Sequence, residues 1–167
     1  MSPIDLASLL LRFALGGMIV LHGLNKMKSK ASLAGTGQWF ASIGMRQAKK
    51  QALAAALSET ISGVLILIGL FTPLACAALI STMIVAIVVS HRSSGFFIFN
   101  EGQGWEYCAL ISVAALALAT MGAGKYSLDH AFDLFKEGWL PVVLCATLAI
   151  GASTLHLGLF YRPSSIK

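Results

Sequence analysis

Long apolar stretches separated by short polar segments run along this chain. A helix needs about 20 apolar residues, each rising 1.5 Å, to cross a bilayer, and five stretches are close to that length. The predicted spans cover about residues 5–25, 52–71, 73–92, 104–122 and 139–161. Pro73 follows Phe71 and Thr72 and favours a tight turn between the second and third spans. The pattern predicts an all-α integral membrane bundle, with residues 1–167 as a single membrane domain.

Two connecting segments are expected to hold short helices at the membrane surface. The connection 28–50 is polar, but Trp39 inside it is typical of an aromatic anchor at the membrane–water interface. A second interfacial helix is predicted within 125–138, beginning at Ser127 as N-cap or at Asp129 one turn later.

The first span carries a charge at membrane depth. Arg12 lies well inside it, and an arginine there costs roughly 2.5–3.5 kcal/mol on insertion scales. At 100° per residue, Gly16, Gly23 and Lys26 fall within about 40° of one line with Arg12, and His22 lies roughly 80° to one side. Small residues beside a buried charge predict a helix face packed closely against its neighbours.

The composition excludes a soluble domain. Hydrophobic residues make up 57% of the chain, charged residues make up 11%, and the mean hydropathy is +0.80. Soluble domains hold about 25% charged residues. The formal net charge of +5 would suggest nucleic-acid binding in a soluble protein, but the basic residues cluster beside the membrane spans. Membrane topology explains them better, and no nucleic-acid partner is expected.

The lysines and arginines predict the orientation. Nine of them fall on one side of the predicted topology: Lys26, Lys28, Lys30, Arg46, Lys49, Lys50, Arg92, Arg162 and Lys167. Two fall on the other side, Lys125 and Lys136. The positive-inside rule therefore predicts a multi-pass protein with its N-terminus outside and its C-terminus in the cytoplasm. The N-terminal residues lack the positive region of a signal peptide, so the first span is expected to be retained.

The cysteines are expected to be structural. Cys76, Cys108 and Cys145 lie in apolar segments and form no CxxC pair, which predicts buried, reduced thiols. Cys76 and Cys145 share one leaflet in the predicted topology, and a disulfide between them is the open alternative.

Arg12 and Glu59 are predicted to meet inside the bundle. Glu59 lies roughly 10–12 Å below the cytoplasmic face and Arg12 about 7 Å deeper, a gap that a long arginine side chain narrows. One interpretation is a structural ion pair that fixes helix register. The other is a polar pocket for a quinone headgroup or a proton route, with Ser62 and Gly63 leaving room for a ligand.

Three histidines near the cytoplasmic face have two interpretations. His22, His91 and His156 are either hydrogen-bonded interfacial side chains or parts of one shared site. In a shared site, neutral imidazoles near a carboxylate bind a transition metal, donate to a quinone carbonyl or relay protons. No tight ligand spacing such as HxxxH joins them, so a metal is the minority interpretation. His130 lies on the other side and is expected to be solvated.

The segment HRSSGFFIFNEGQGWEY, from His91 to Tyr107, interleaves three phenylalanines with glycines. It is interpreted either as an interfacial aromatic anchor or as a lid over the polar pocket. In the second case Trp105 and Tyr107 lie at the rim of the pocket.

An ordered set of motifs resembles the DoxX family of small bacterial integral membrane proteins. The motifs are Arg12 followed by HGLNK, then WFASIGM, ETISGVLILIGLFTPLA from Glu59, the His91–Phe97 stretch, GWEY at Gly104–Tyr107 and GAGKYSLD at Gly122–Asp129. Together they cover about residues 8–130. The resemblance implies a four-helix core in the bacterial cytoplasmic (inner) membrane, to which 139–161 adds a fifth, C-terminal transmembrane helix. It also implies an association with membrane redox chemistry, as in the small subunit of thiosulfate:quinone oxidoreductase.

Residues and resemblance together predict a redox-associated subunit that binds a quinone or similar small molecule in an intramembrane polar pocket. The candidate catalytic residues are Glu59, His22 and His91, and the candidate ligand-binding residues are Arg12, Lys26, Glu106, Trp105 and Tyr107. Arg12 and Glu59 would polarise the ligand, and Glu106 would set the tautomer of the histidines. The sequence shows no flavin, haem or iron–sulfur motif, so electrons are expected from a membrane or peripheral partner protein.

A second hypothesis is a non-catalytic membrane anchor or assembly subunit of a larger membrane complex. The polar pairs would then only specify helix packing, and the fifth span would provide the docking face. A small-molecule transporter is a third hypothesis, less favoured because the five spans show no evident inverted repeat.

Overall fold

A computed structural model describes residues 1–135 and 138–163 of the chain, and these residues form a bundle of helices. The helices are α1 (Pro3–Met27), α2 (Lys30–Ser42), α3 (Ala48–Ile68), α4 (Thr72–Ala86), α5 (Glu106–Met121), α6 (Leu128–Ala131) and α7 (Trp139–Phe160). The chain continues from α4 through a π-helical turn (Ile87–His91) and a 3-10 turn (Arg92–Ser94). The prediction of an all-α membrane bundle is confirmed.

Four of the described helices are long and apolar enough to cross a membrane: α1, α3, α4 with its continuation to Ser94, and α7. α5 is shorter than the predicted span 104–122. Its 16 residues extend about 24 Å, against roughly 30 Å for the hydrocarbon core. The difference arises because the helix begins only at Glu106 and ends before Gly122, whose positive φ of 78° turns the chain away.

The five longest helices alternate in direction, which gives the bundle two distinct ends. At one end, Arg46 before α3 donates a backbone hydrogen bond to Phe160 at the end of α7 (2.7 Å). At the other end, the Ser8 hydroxyl of α1 donates to the carbonyl of Gly122 after α5 (3.0 Å). Asp129 lies at this second end, which we call the Asp129 end.

The first end is called the basic end, because most of the described lysines and arginines lie there. They are Lys26, Lys28, Lys30, Arg46, Lys49, Lys50, Arg92 and Arg162. The positive-inside rule predicts that this end faces the cytoplasm, and that orientation stays a prediction.

Both connections predicted to hold short helices do so. α2 begins after Ser29, whose hydroxyl accepts a hydrogen bond from the backbone of Ser32 (3.0 Å), and it packs against α3. Ser127 is the N-cap of α6, as predicted, and accepts from the backbone of His130 (3.1 Å). α6 has only four residues, and part of the predicted helix, residues 136–137, lies outside the described residues.

α1 and α3 pack with almost no space between their backbones. A Cβ at Gly16 would lie 2.7 Å from the Gly63 carbonyl oxygen, and a Cβ at Gly23 would lie 2.7 Å from that of Ala56. A Cβ at Gly63 would in turn lie 2.6 Å from Cγ2 of Ile19. The close-packed face predicted for the first span is confirmed, because only glycine fits at these positions.

We expect Gly63→Val to push α1 away from α3 and to lower the free energy of unfolding by about 1–3 kcal/mol, the usual cost of overpacking. Gly17→Val is the matched control, since a Cβ at Gly17 meets no atom within 4 Å. Thermal unfolding in mild detergent measures both variants. Equal melting temperatures for the two would contradict the assignment of this face.

Candidate intramembrane ligand site

A cavity of about 840 Å³ extends into the bundle from the basic end. Helices α1, α3, α4, α5 and α7 line it, and α2 and the loop 95–105 complete its wall. Its polar lining residues are His22, Lys26, Gln51, Ser58, Glu59, Ser81, Thr82, Ser90, His91, Gln103, Tyr107 and His156. Most of the remaining wall is aliphatic. The structure thus brings together side chains from separate helices around one hollow.

An ion pair between α1 and α3 lies in the wall of this cavity. Lys26 Nζ donates to Glu59 Oε2 at 2.6 Å, and the Glu59 side chain is only 7% exposed. Lys26 is on the same face of α1 as Gly23, so the close approach of the two helices places the ammonium opposite the carboxylate. Lys26 is therefore the partner that compensates the buried charge of Glu59.

The predicted pair of Arg12 and Glu59 is wrong. Arg12 is 3% exposed and donates four hydrogen bonds to backbone carbonyls, those of Ile66 (3.0 Å), Leu67 (2.6 Å), Ala123 (3.0 Å) and Tyr126 (2.7 Å). Ile66 and Leu67 lie in the last turn of α3, whose carbonyls lack partners within the helix. Arg12 does not line the cavity, so its position is structural rather than ligand-binding as the sequence suggested.

Asp129 binds the backbone N–H groups that begin α4, as Arg12 binds the carbonyls that end α3. Its carboxylate, 1% exposed, accepts hydrogen bonds from the backbone N–H groups of Phe71 (2.7 Å) and Thr72 (2.8 Å). These N–H groups lie at the positive end of the helix dipole, where an anion is stabilising. The sequence indicated Asp129 only as a local cap, because a cap that comes from 57 residues away leaves no local signal.

His91 is held by the loop that covers the cavity. Its Nδ1 lies 2.7 Å from the carbonyl oxygen of Gln103. A carbonyl oxygen only accepts hydrogen bonds, so Nδ1 carries the proton in this contact. In that tautomer Nε2 is available as a hydrogen-bond acceptor. The predicted role of Glu106 in setting the histidine tautomer is therefore wrong for His91. His91 is the last residue of a π-helical turn, a feature frequent at functional sites.

The loop 95–105, which we call the aromatic loop, is both a cover over the cavity and an aromatic segment at the surface, the two alternatives left open by the sequence. Ile98, Gln103 and neighbouring glycines line the cavity, as a cover would, whereas Phe99 is 79% exposed at the bundle surface. Glu106 fixes the loop by accepting from the backbone of Ile98 (3.1 Å). A Cβ at Gly104 would overlap the carbonyls of Phe96 and Phe97, so the tight path of the loop requires glycine.

Two of the predicted ligand-binding residues face this loop instead of the cavity. Glu106 binds the backbone of Ile98, and Trp105 packs its ring edge-to-face on Phe96 at 4.7 Å between centroids. Tyr107, by contrast, does line the cavity, where its hydroxyl donates to the sulfur of Met18.

The histidines divide as the sequence suggested. His22, His91 and His156 line the cavity, whereas His130 is exposed at the Asp129 end. Within residues 1–135 and 138–163, no three His, Cys, Asp or Glu side chains are grouped closely enough to hold a metal ion. The three cavity histidines therefore share a hollow without forming a ligand cluster. Cys76, Cys108 and Cys145 are buried free thiols.

The sequence missed Gln51 as a site residue. Gln51 is 6% exposed and lines the cavity in the first turns of α3, on the same face as Ala55 and one helical turn from it. In the sequence, Gln51 is a single polar residue at the start of an apolar span, where polar residues are common. The Ser58–Thr82 contact between α3 and α4 (3.4 Å) was likewise not anticipated.

The sequence model of the DoxX family matches residues 7–92, which is just over half of the chain. This chain belongs to the DoxX family. The DoxX match covers α1 to α4, and so includes Lys26, Glu59 and His91, while Tyr107 on α5 and His156 on α7 lie beyond it. No curated protein and no solved structure matches the chain.

In this DoxX protein we expect Arg12→Met to lower the free energy of unfolding by at least about 2 kcal/mol, because buried carbonyls lose their donor. Arg162→Met is the matched control, since Arg162 also binds helix-terminal carbonyls, those of Gly158 (2.9 Å) and Tyr161 (2.6 Å), but is exposed. Thermal unfolding in detergent compares them. An Arg12→Met protein as stable as the control would show that the buried network is not needed for the fold.

Proposed function

We propose that this DoxX protein is a redox-associated membrane subunit that binds a quinone or similar small molecule in the cavity at its basic end. The observation that carries the proposal is the placement of the buried Lys26–Glu59 pair in the wall of a hollow of about 840 Å³. Ligand sites in proteins are typically hollows of about 300–1,000 Å³ with apolar walls and a few convergent polar groups.

The polar groups of the cavity supply the chemistry that a quinone ring requires. Lys26 retains N–H donors beyond the one that binds Glu59, and these suit a ring carbonyl. Nε2 of His91 and the ring of His22 provide imidazole nitrogens that can donate or accept a hydrogen bond in the cavity. Glu59 would hold Lys26 in position against the ring.

Reduction of a quinone takes two electrons and two protons. The proposed source of the electrons is a partner redox protein, and the proposed route of the protons is the cavity opening at the basic end. The positive-inside rule predicts that this opening faces the cytoplasmic side of the bacterial inner membrane. His22 and Lys26 lie on the last turns of α1, toward the basic end.

We expect Glu59→Gln to weaken quinone binding about tenfold or more, because the amide removes the ion pair that holds the Lys26 ammonium in position for the ring. Equilibrium dialysis of the detergent-solubilised protein against a benzoquinone measures the affinity. Glu101→Gln is the control, since Glu101 is exposed in the aromatic loop and does not line the cavity.

The same experiment separates this proposal from a non-catalytic anchor or assembly subunit. If the unmodified protein binds no quinone and Glu59→Gln only lowers stability, the Lys26–Glu59 pair is structural and the proposal fails. Loss of binding with an unchanged melting temperature supports a ligand site.

A further inference from the structure

One side of the cavity is lined by residues from three helices, α3, α4 and α7. Residues that recur every three or four positions form the floor: Leu74, Ala78, Ser81 and Val85 on α4, and Val89 on its π-helical continuation. α3 and α7 each pack against α4 and form the two walls. The wall residues are Gln51, Ala54, Ala55 and Ser58 on α3, and Leu148, Ala152 and His156 on α7. Small side chains on both walls leave a groove between the helices.

The groove is polar at one end and apolar at the other. Gln51, Ser90 and His156 lie toward the basic end, whereas Leu74 and Leu148 lie toward the Asp129 end. The floor extends about 18 Å from Leu74 to Ala86 at 1.5 Å per residue, and further through the π turn.

The apolar part of the groove is open along its side. Leu74 is 38% exposed and Leu148 is 43% exposed, and Ala54 and Ala152 are exposed as well. α3, α4 and α7 are among the helices that are long and apolar enough to cross a membrane. At this depth the exposed flank of the bundle faces lipid chains rather than water.

Gln51 gives an independent indication of a ligand at the polar end. It is 6% exposed, and its side-chain amide makes no hydrogen bond to any residue in the described part of the chain. Its amide atoms are reached from the cavity, since Oγ1 of Thr72 is the single buried side-chain atom without a partner in the described residues. An amide held unpaired in the cavity wall has two donors and one acceptor available for a polar headgroup.

We propose that the ligand is a long-chain amphiphile taken from the bilayer, with its polar head beside Gln51 and its chain in the groove between α3 and α7. This inference rests on the proposed function and specifies the ligand class. The groove would hold the chain against α4. Its effect is to admit the molecule sideways and to direct its head toward Lys26 and Glu59.

The test compares two probes that share a ring, a dimethoxy-methyl-benzoquinone and its decyl derivative. Ala152→Phe on α7 and Ala54→Phe on α3 fill the groove from opposite walls, and both sites are exposed enough to take the larger side chain without repacking the core. Ile150→Phe and Leu53→Phe are the matched controls, since these residues are exposed on the same helices outside the cavity lining.

We expect each groove variant to weaken binding of the decyl derivative about tenfold or more and to leave binding of the ring-only quinone within about twofold. The controls should change neither. Equilibrium dialysis of the full chain in detergent, corrected with protein-free micelles, gives both affinities.

Two results would overturn the inference in distinguishable ways. If the groove variants weaken both probes equally, or neither, the chain does not lie in the groove, while the proposed quinone site stands. If the unmodified protein binds neither probe, the proposed function fails and the inference fails with it.

Discussion

The turn between α3 and α4 depends on two buried charges that come from elsewhere in the chain. Arg12 binds the carbonyls that end α3, and Asp129 binds the N–H groups that begin α4. Each charge therefore lies at the helix end whose dipole it stabilises. Between them is Gly69, whose carbonyl accepts from the backbone of Asp129 (2.7 Å) and whose added Cβ would lie 2.8 Å from Cζ of Arg12. A charge at membrane depth is tolerated because backbone groups at the helix ends form hydrogen bonds with it.

The second buried charge pair is compensated differently. Lys26 and Glu59 neutralise one another across the glycine-packed face of α1 and α3, and they remain in contact with the cavity. Arg12 and Asp129 bind backbone groups on either side of the turn between α3 and α4, whereas the Lys26–Glu59 pair borders the cavity. This contrast is the physical reason for proposing the ligand site at the basic end.

α4 connects these two ends. Its first turn is held by Asp129, its middle forms the floor of the groove, and its π-helical continuation carries His91 to the loop that covers the cavity. A head bound near Gln51 and Lys26 would lie beside α3 and α1, while its chain would lie along α4.

The α-helical membrane bundle, the interfacial helix in the 28–50 connection, the glycine face of α1 and the family could all be predicted from the sequence. Each of them depends on hydropathy, on helical periodicity or on motif order, which are local properties of the chain. The convergence of Glu59 with the histidines near the basic end also followed from counting residues along the spans. The partners of Arg12, His91 and Asp129 did not, and neither did the cavity position of Gln51. One helical turn rises only 5.4 Å, about the reach of an arginine side chain, so a small change in the axial offset or rotation of two helices exchanges one partner for another. The sequence therefore indicated that Arg12 and Glu59 are buried, and the packing of the helices alone decided what each of them binds.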